Sequence, residues 1–173
     1  MQKIILFLLL PALLESQNFP ELDVSPMDKT HFSRQEQVAT ITYSRPQLKG
    51  RALKNIVKQN EIWRTGANEA NELVLYYDIE INNIIVPKGV YKIFTLPEEK
   101  EITFILSLST KIFGGSRAYN SEMDFLRYKV PKRQAKESLE AFSIVFSNKD
   151  DEPIIHFGWE YMRFDIPFKI LNL

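Results

Sequence analysis

Leu73-Val74-Leu75-Tyr76-Tyr77-Asp78-Ile79-Glu80-Ile81 is the stretch that sets the fold class. Leu73, Leu75, Tyr77, Ile79 and Ile81 fall on one side of an extended chain, with Tyr76, Asp78 and Glu80 on the other. Successive side chains of a strand point to opposite faces, whereas a helix returns its apolar residues every three or four positions. The spacing predicts one strand over 73–81 with a single buried face.

The same pattern recurs in both directions. Val38–Tyr43 is β-branched and alternating, and Ser44-Arg45-Pro46 ends it, because proline cannot donate to a ladder and restricts the residue before it. Further strands are expected at Val90–Leu96, Glu101–Leu108 and Met123–Val130, and then at Leu139–Phe146, Ile154–Trp159 and Tyr161–Ile170, while Ile84-Ile85-Val86 leads into a turn. Asn82-Asn83, Pro87-Lys88-Gly89, Pro97-Glu98-Glu99-Lys100 and Asn148-Lys149-Asp150-Asp151 supply turns between them. Ser109–Asn120, with Gly114-Gly115, Arg117 and Tyr119, reads as a longer loop, and Pro131–Glu137 as a charged, solvated stretch. Arg51–Lys58 is the one short helix, placing Leu53, Ile56 and Val57 on a common face. Strands with one apolar face each need a second layer to cover it. The expected fold is all-β, an antiparallel β-sandwich with a jelly-roll-like arrangement as its variant.

The chain has 173 residues, of which 45% are hydrophobic and 12% aromatic, enough for one domain with a packed core. Lys+Arg and Asp+Glu number 22 each, a balance that argues against a nucleic-acid binder working by bulk charge. Cysteine is absent, which excludes disulfides, a lipid-modified N-terminal cysteine and thiolate metal sites. Met1–Gln17 reads as a cleaved secretory signal: Lys3 gives a positive start, Ile4–Leu14 is apolar, and polar Glu15-Ser16-Gln17 follow. The apolar run is shorter than the roughly 20 residues of a spanning helix and holds Pro11, so no membrane span is expected after cleavage. Residues 18–36, with Pro20, Pro26 and no sustained period, then form an N-terminal arm, and 37–173 form the β-sandwich domain. Export to the periplasm or beyond the cell is the expected destination.

The chemistry gathers in two polar, glycine-marked turns. Tyr43-Ser44-Arg45-Pro46 with Lys49-Gly50-Arg51 brings three cations into seven residues. Trp63-Arg64-Thr65-Gly66-Ala67-Asn68-Glu69 adds a planar guanidinium suited to carboxylate, phosphate or sulfate, with Gly66 and Asn68 able to take unusual backbone angles. Tyr43, Arg45, Lys49, Arg51, Trp63, Arg64, Asn68 and Glu69 are therefore the candidate ligand-binding residues, with Trp63 either stacking on a sugar or filling the core. The bland alternative is that Arg64 pairs with Glu69 and that the cations form a solvated turn.

Catalytic readings are weak. His31 and His156 form no metal-ligand spacing, and no cofactor pattern is present. Gly114-Gly115-Ser116 lacks the strand–turn–helix setting of a nucleophilic serine. His156 alternates outward from Ile155 and Phe157, as a sheet-face histidine would.

The two turns, together with Gly89-Val90-Tyr91, Phe94-Thr95-Leu96-Pro97, Asp124-Phe125-Leu126-Arg127 and Trp159-Glu160, resemble the DUF2911 family from about Lys29 onward. That resemblance implies secreted proteins, mostly of Bacteroidetes, with a β-rich fold and no established activity. This chain departs from the family where Lys58-Gln59-Asn60 stands in place of Pro-Tyr-Gly before the tryptophan. Two functions follow as expectations. One is an exported binding module for an acidic saccharide or another small anion at the arginine-bearing rim. The other is a structural or interaction protein of the bacterial envelope, partnered by another envelope protein. A hydrolase is the weakest reading.

Overall fold

The computed structural model describes residues 21–110, 119–149 and 152–171. The leader expected over 1–17, Gly114-Gly115 with Arg117, and the Asp150-Asp151 turn lie outside the described residues. The strands are β1 (Met27–Ser33), β2 (Gln37–Ser44), β3 (Glu72–Leu75), β4 (Ile79–Ile81), β5 (Ile84–Val86), β6 (Gly89–Pro97) and β7 (Glu101–Ser107). They continue with β8 (Asp124–Pro131), β9 (Arg133–Lys149), β10 (Glu152–Pro167) and β11 (Lys169–Ile170). Among the described residues, one short helix, α1 (Leu53–Ile56), and a 3-10 turn (Ser121–Met123) interrupt them.

Every strand pairing among the described residues is antiparallel. The large sheet runs β1-β2-β3-β6-β7-β8, while β9 and β10 form a long hairpin and β11-β4-β5 a small sheet. These sheets make a sandwich, as the one-sided alternation requires. Ile41, Leu73, Ile93, Phe104 and Leu126 of the large sheet share one core with Phe142, Ile144, Phe157, Trp159 and Phe164 of the hairpin. Aromatic rings meet across the layers: Tyr43 on Phe142 at 5.8 Å, Phe104 on Phe157 at 5.8 Å and Phe32 on Phe168 at 5.6 Å between centroids. Such pairs add geometric preference to the burial that drives the layers together.

The stretch 73–81 is not one strand. β3 ends at Leu75, the chain bends at Tyr76-Tyr77, and Ile79 opens β4 in a different sheet. Leu73, Leu75, Ile79 and Ile81 are all buried nonetheless. The alternation thus reports which way each side chain faces, and it survives when a strand turns a corner between sheets. Polar contacts fix the corner: the Asp78 carboxylate accepts the Lys88 N–H at 2.7 Å, and the Asp78 carbonyl accepts the Leu171 N–H at 2.9 Å. Asn82 and Asn83, both at positive φ (50° and 62°), make the expected turn between β4 and β5. Paired left-handed residues match the twist of a two-residue hairpin.

β10 doubles back on itself. Phe168 donates its N–H to Pro153 at 3.0 Å, Asp165 meets His156 at 2.8 Å, and the Phe157 and Phe164 rings stack at 4.5 Å. All three contacts centre on Glu160–Tyr161, where Glu160 takes φ 49°. The sequence placed a break between two strands at this point, and the break is a fold within a continuous strand.

Three other expectations change. Residues 27–33, read as surface arm, are β1, paired along its length with β2. The charged stretch Pro131–Glu137 belongs to the end of β8 and the start of β9. The strand expected over Glu101–Leu108 ends at Ser107, after a register shift that follows Leu106, and Leu108 beyond it is 48% exposed.

Candidate functional site

The two signature turns meet. A Cβ on Gly66 would lie 3.0 Å from the Ser44 carbonyl oxygen and 2.8 Å from Asn71 Oδ1. Gly66 is required by this close approach, not by an unusual backbone angle. Positive φ falls instead on Thr65 (59°) and Asn68 (55°). Asparagine tolerates that region, but a β-branched threonine there is strained and must be held by its surroundings. Thr65 is fully buried, and its hydroxyl bonds Thr95 Oγ1 at 3.1 Å and the Trp63 carbonyl at 3.3 Å. The Asn71 side-chain amide donates to the Thr65 carbonyl.

The arginines of the signature bond the protein itself. Arg45 bridges the layers: Nε donates to the Phe142 carbonyl at 3.1 Å, and its terminal nitrogens to Asp28 at 3.1 Å and Ser143 Oγ at 2.9 Å. Arg51 folds over its own turn onto the carbonyls of Leu48 and Gln47, each at 2.8 Å. Arg64 donates to the Asn68 carbonyl at 3.2 Å rather than pairing with Glu69. Asn68 Nδ2 reaches Asp23 at 2.5 Å, tying the turn to the residues before β1. At Lys49 the backbone, at φ 49°, donates to Glu140 at 2.7 Å, and the side chain is exposed.

Tyr43 and Trp63 belong to the core. The Tyr43 hydroxyl accepts the Ile144 N–H at 3.0 Å and lies 3.3 Å from Asp28. Burial, above all, pushes this phenol above its ordinary value of 10.0. Trp63 stacks on Trp159 at 5.8 Å, packs edge-on against Phe142 at 5.1 Å, and pairs its backbone with Thr95. Of the eight candidates, Tyr43 and Glu69 line a common recess of about 280 Å³, with Ser44, Asn71, Glu72 and Lys92 among its other walls. Lys92, nearly buried, pairs with Glu72 at 2.8 Å. Asn71 Oδ1 is buried without a hydrogen-bond partner, and Glu69 has no partner among the described residues.

Two polar groupings escaped the sequence reading: the first is made by the register of β9 on β10 and the fold of β10, the second by a loop residue turning back onto the start of β8. Ser147 Oγ lies 2.6 Å from His156 Nε2, His156 Nδ1 lies 2.8 Å from Asp165, and Arg133 pairs with the other oxygen of Asp165. This row has the order of a serine–histidine–aspartate relay. Ser147, however, sits opposite Ile154 within the β9–β10 ladder, not on the strained turn that presents a nucleophile. The second grouping joins Tyr119, Asp124 and Arg127: the phenol donates to Asp124 at 2.5 Å, and Arg127 donates to both, each at 2.7 Å. Burial, reinforced by the Asp124 carboxylate, pushes Tyr119 up to about 12. Only the local spacing of Asp124 and Arg127 was visible in the sequence.

Among the described residues, no group of three or more His, Cys, Asp or Glu side chains is arranged to hold a metal ion, and no helix is long and apolar enough to cross a membrane. No curated protein and no solved structure matches the chain. The family model described as a protein of unknown function, DUF2911, matches residues 25–168, from just before β1 through the signature turns to the end of the doubled strand. The chain belongs to the DUF2911 family.

Proposed function

We propose that the protein is an exported envelope component with a structural or interaction role, in which the signature turns lock the two layers of the sandwich. The carrying observation is Arg45, whose guanidinium reaches a carbonyl and a hydroxyl of β9 and a carboxylate of β1 at once. A guanidinium held this way positions backbone and has few donors left for a ligand. The test compares Arg45→Ala with the parent in thermal unfolding and in binding to a panel of acidic glycans. The expected result is a fall in Tm of about 2–6 °C with glycan binding unchanged. Loss of binding at an unchanged Tm overturns the reading.

The recess beside Tyr43 and Glu69 favours a second reading, that of a binding module at the signature itself. Its free group is an acceptor, the Glu69 carboxylate, which suits the hydroxyls of a saccharide better than an anion. Glu69→Gln should then weaken saccharide binding, as measured by titration calorimetry.

A further inference from the structure

We propose that a second, larger cleft, between α1, the β6–β7 turn and the fold of β10 at Glu160, binds an acidic saccharide carrying a uronate carboxylate. The cleft holds about 720 Å³ and shares no lining residue with the recess beside Tyr43. That volume lies in the range of roughly 300–1,000 Å³ usual for ligand sites.

Its floor is apolar, made by the buried side chains of Leu53, Val57 and Pro97, with Met162 beside them. Tyr161 stands on the wall, 43% exposed, and offers an aromatic face to the C–H face of a pyranose. The charges of the cleft are unequally committed. Lys132 donates to the Glu98 carbonyl at 2.8 Å, Arg133 pairs with Asp165, and the Glu98 carboxylate takes Lys129 at 3.0 Å. The Glu160 carboxylate accepts the Leu53 N–H at 3.3 Å. Among the described residues, this leaves the ammonium groups of Lys54 and Lys100 and the carboxylate of Glu99 without partners, two positive charges against one negative. The surplus favours a single anionic group on the ligand.

The side-chain amides of Gln59 and Gln134 and the Tyr161 hydroxyl are likewise unpartnered among the described residues. Two amides, a phenol and a carboxylate around an apolar floor match the alternating hydroxyls and C–H face of a sugar. A chain amphiphile would want a closed apolar tunnel instead. The wall is also pre-arranged. Arg163 donates to the carbonyls of Glu160 at 2.9 Å, Met162 at 2.8 Å and Glu137 at 2.9 Å, holding Glu160 at φ 49°. A non-glycine residue fixed there by several bonds is the kind of strain found where a fold presents a site.

The test titrates the full chain with a uronate trisaccharide, its neutral methyl ester and octanoate, using calorimetry and thermal unfolding. Expected are binding of the acid form, weakening with added salt, and at least tenfold weaker binding of the ester. The Lys54→Ala/Lys100→Ala double variant and Tyr161→Ala should each lose at least tenfold in affinity with Tm unchanged. No binding of the trisaccharide by the parent overturns the proposal, as does binding that the cleft variants leave intact. Loss on Glu69→Gln alone moves the ligand to the recess and leaves the binding-module reading standing. Octanoate binding as tightly as the trisaccharide overturns the saccharide class.

Discussion

The signature turns and the cleft are both rich in charge, yet they use it in opposite ways. At the turns, Arg45, Arg51 and Arg64 all end on carbonyls, a hydroxyl or a carboxylate of the same chain. In the cleft, Lys54, Lys100 and Glu99 face open space from the helix and a tight turn. The most recognisable residues of the sequence hold the structure, while the unpaired charges stand among residues with no motif at all. A guanidinium can satisfy several carbonyls at once and so serves well as a rivet, whereas a lysine on a mobile stem is more often left in water.

The largest break in this contrast should come from Trp63→Ala. Removing a buried indole stacked on Trp159 should cost about 3–5 kcal/mol in chemical denaturation. Gly66→Ala should come next, at about 1–3 kcal/mol by the same measurement, because the new Cβ would press on the Ser44 backbone and the Asn71 amide. The third test uses pH. The Tyr43 phenol is raised in the folded state, so it contributes stability that is present below pH 10.0 and lost as pH climbs through the higher folded value. Tyr43→Phe should therefore show a shallower alkaline fall in Tm than the parent, and equal slopes would contradict the burial of that hydroxyl. The smallest effect sharpens the other side. Lys54→Ala and Lys100→Ala should each change unfolding free energy by less than about 0.5 kcal/mol, as exposed unpaired charges do. A larger loss would show that these lysines hold the scaffold too.

The fold class was legible because alternation records burial directly, and the buried sets Ile102–Phe104–Leu106 and Phe142–Ile144 sit where the period of two put them. The division into sheets was not legible. Nothing in 73–81 distinguishes a straight strand from one that turns at Tyr76-Tyr77, since both bury the same side chains. β1 was missed because Met27–Ser33 lies at the sheet edge and buries only Phe32, leaving little apolar period to read. The two signature turns stood out in the sequence as polar, glycine-marked segments, and the approach of Gly66 to the Ser44 carbonyl is visible only in the fold. The partners of those arginines were beyond reach, because Asp28, Phe142 and Ser143 come together only through sheet register. The cleft was invisible for the same reason: its walls come from four separate segments of the chain.

The doubled strand has a kinetic corollary. Phe157 and Phe164 stack seven positions apart, and the limbs on either side close over a single left-handed residue. Contacts between near neighbours in the chain lose little entropy on closing, so they form sooner than pairings that span a whole domain. Refolding should start from residues 152–168, with the large sheet adding afterwards. Stopped-flow measurements on Phe164→Leu should show most of its destabilisation as slower refolding, whereas Ile41→Val should mainly hasten unfolding.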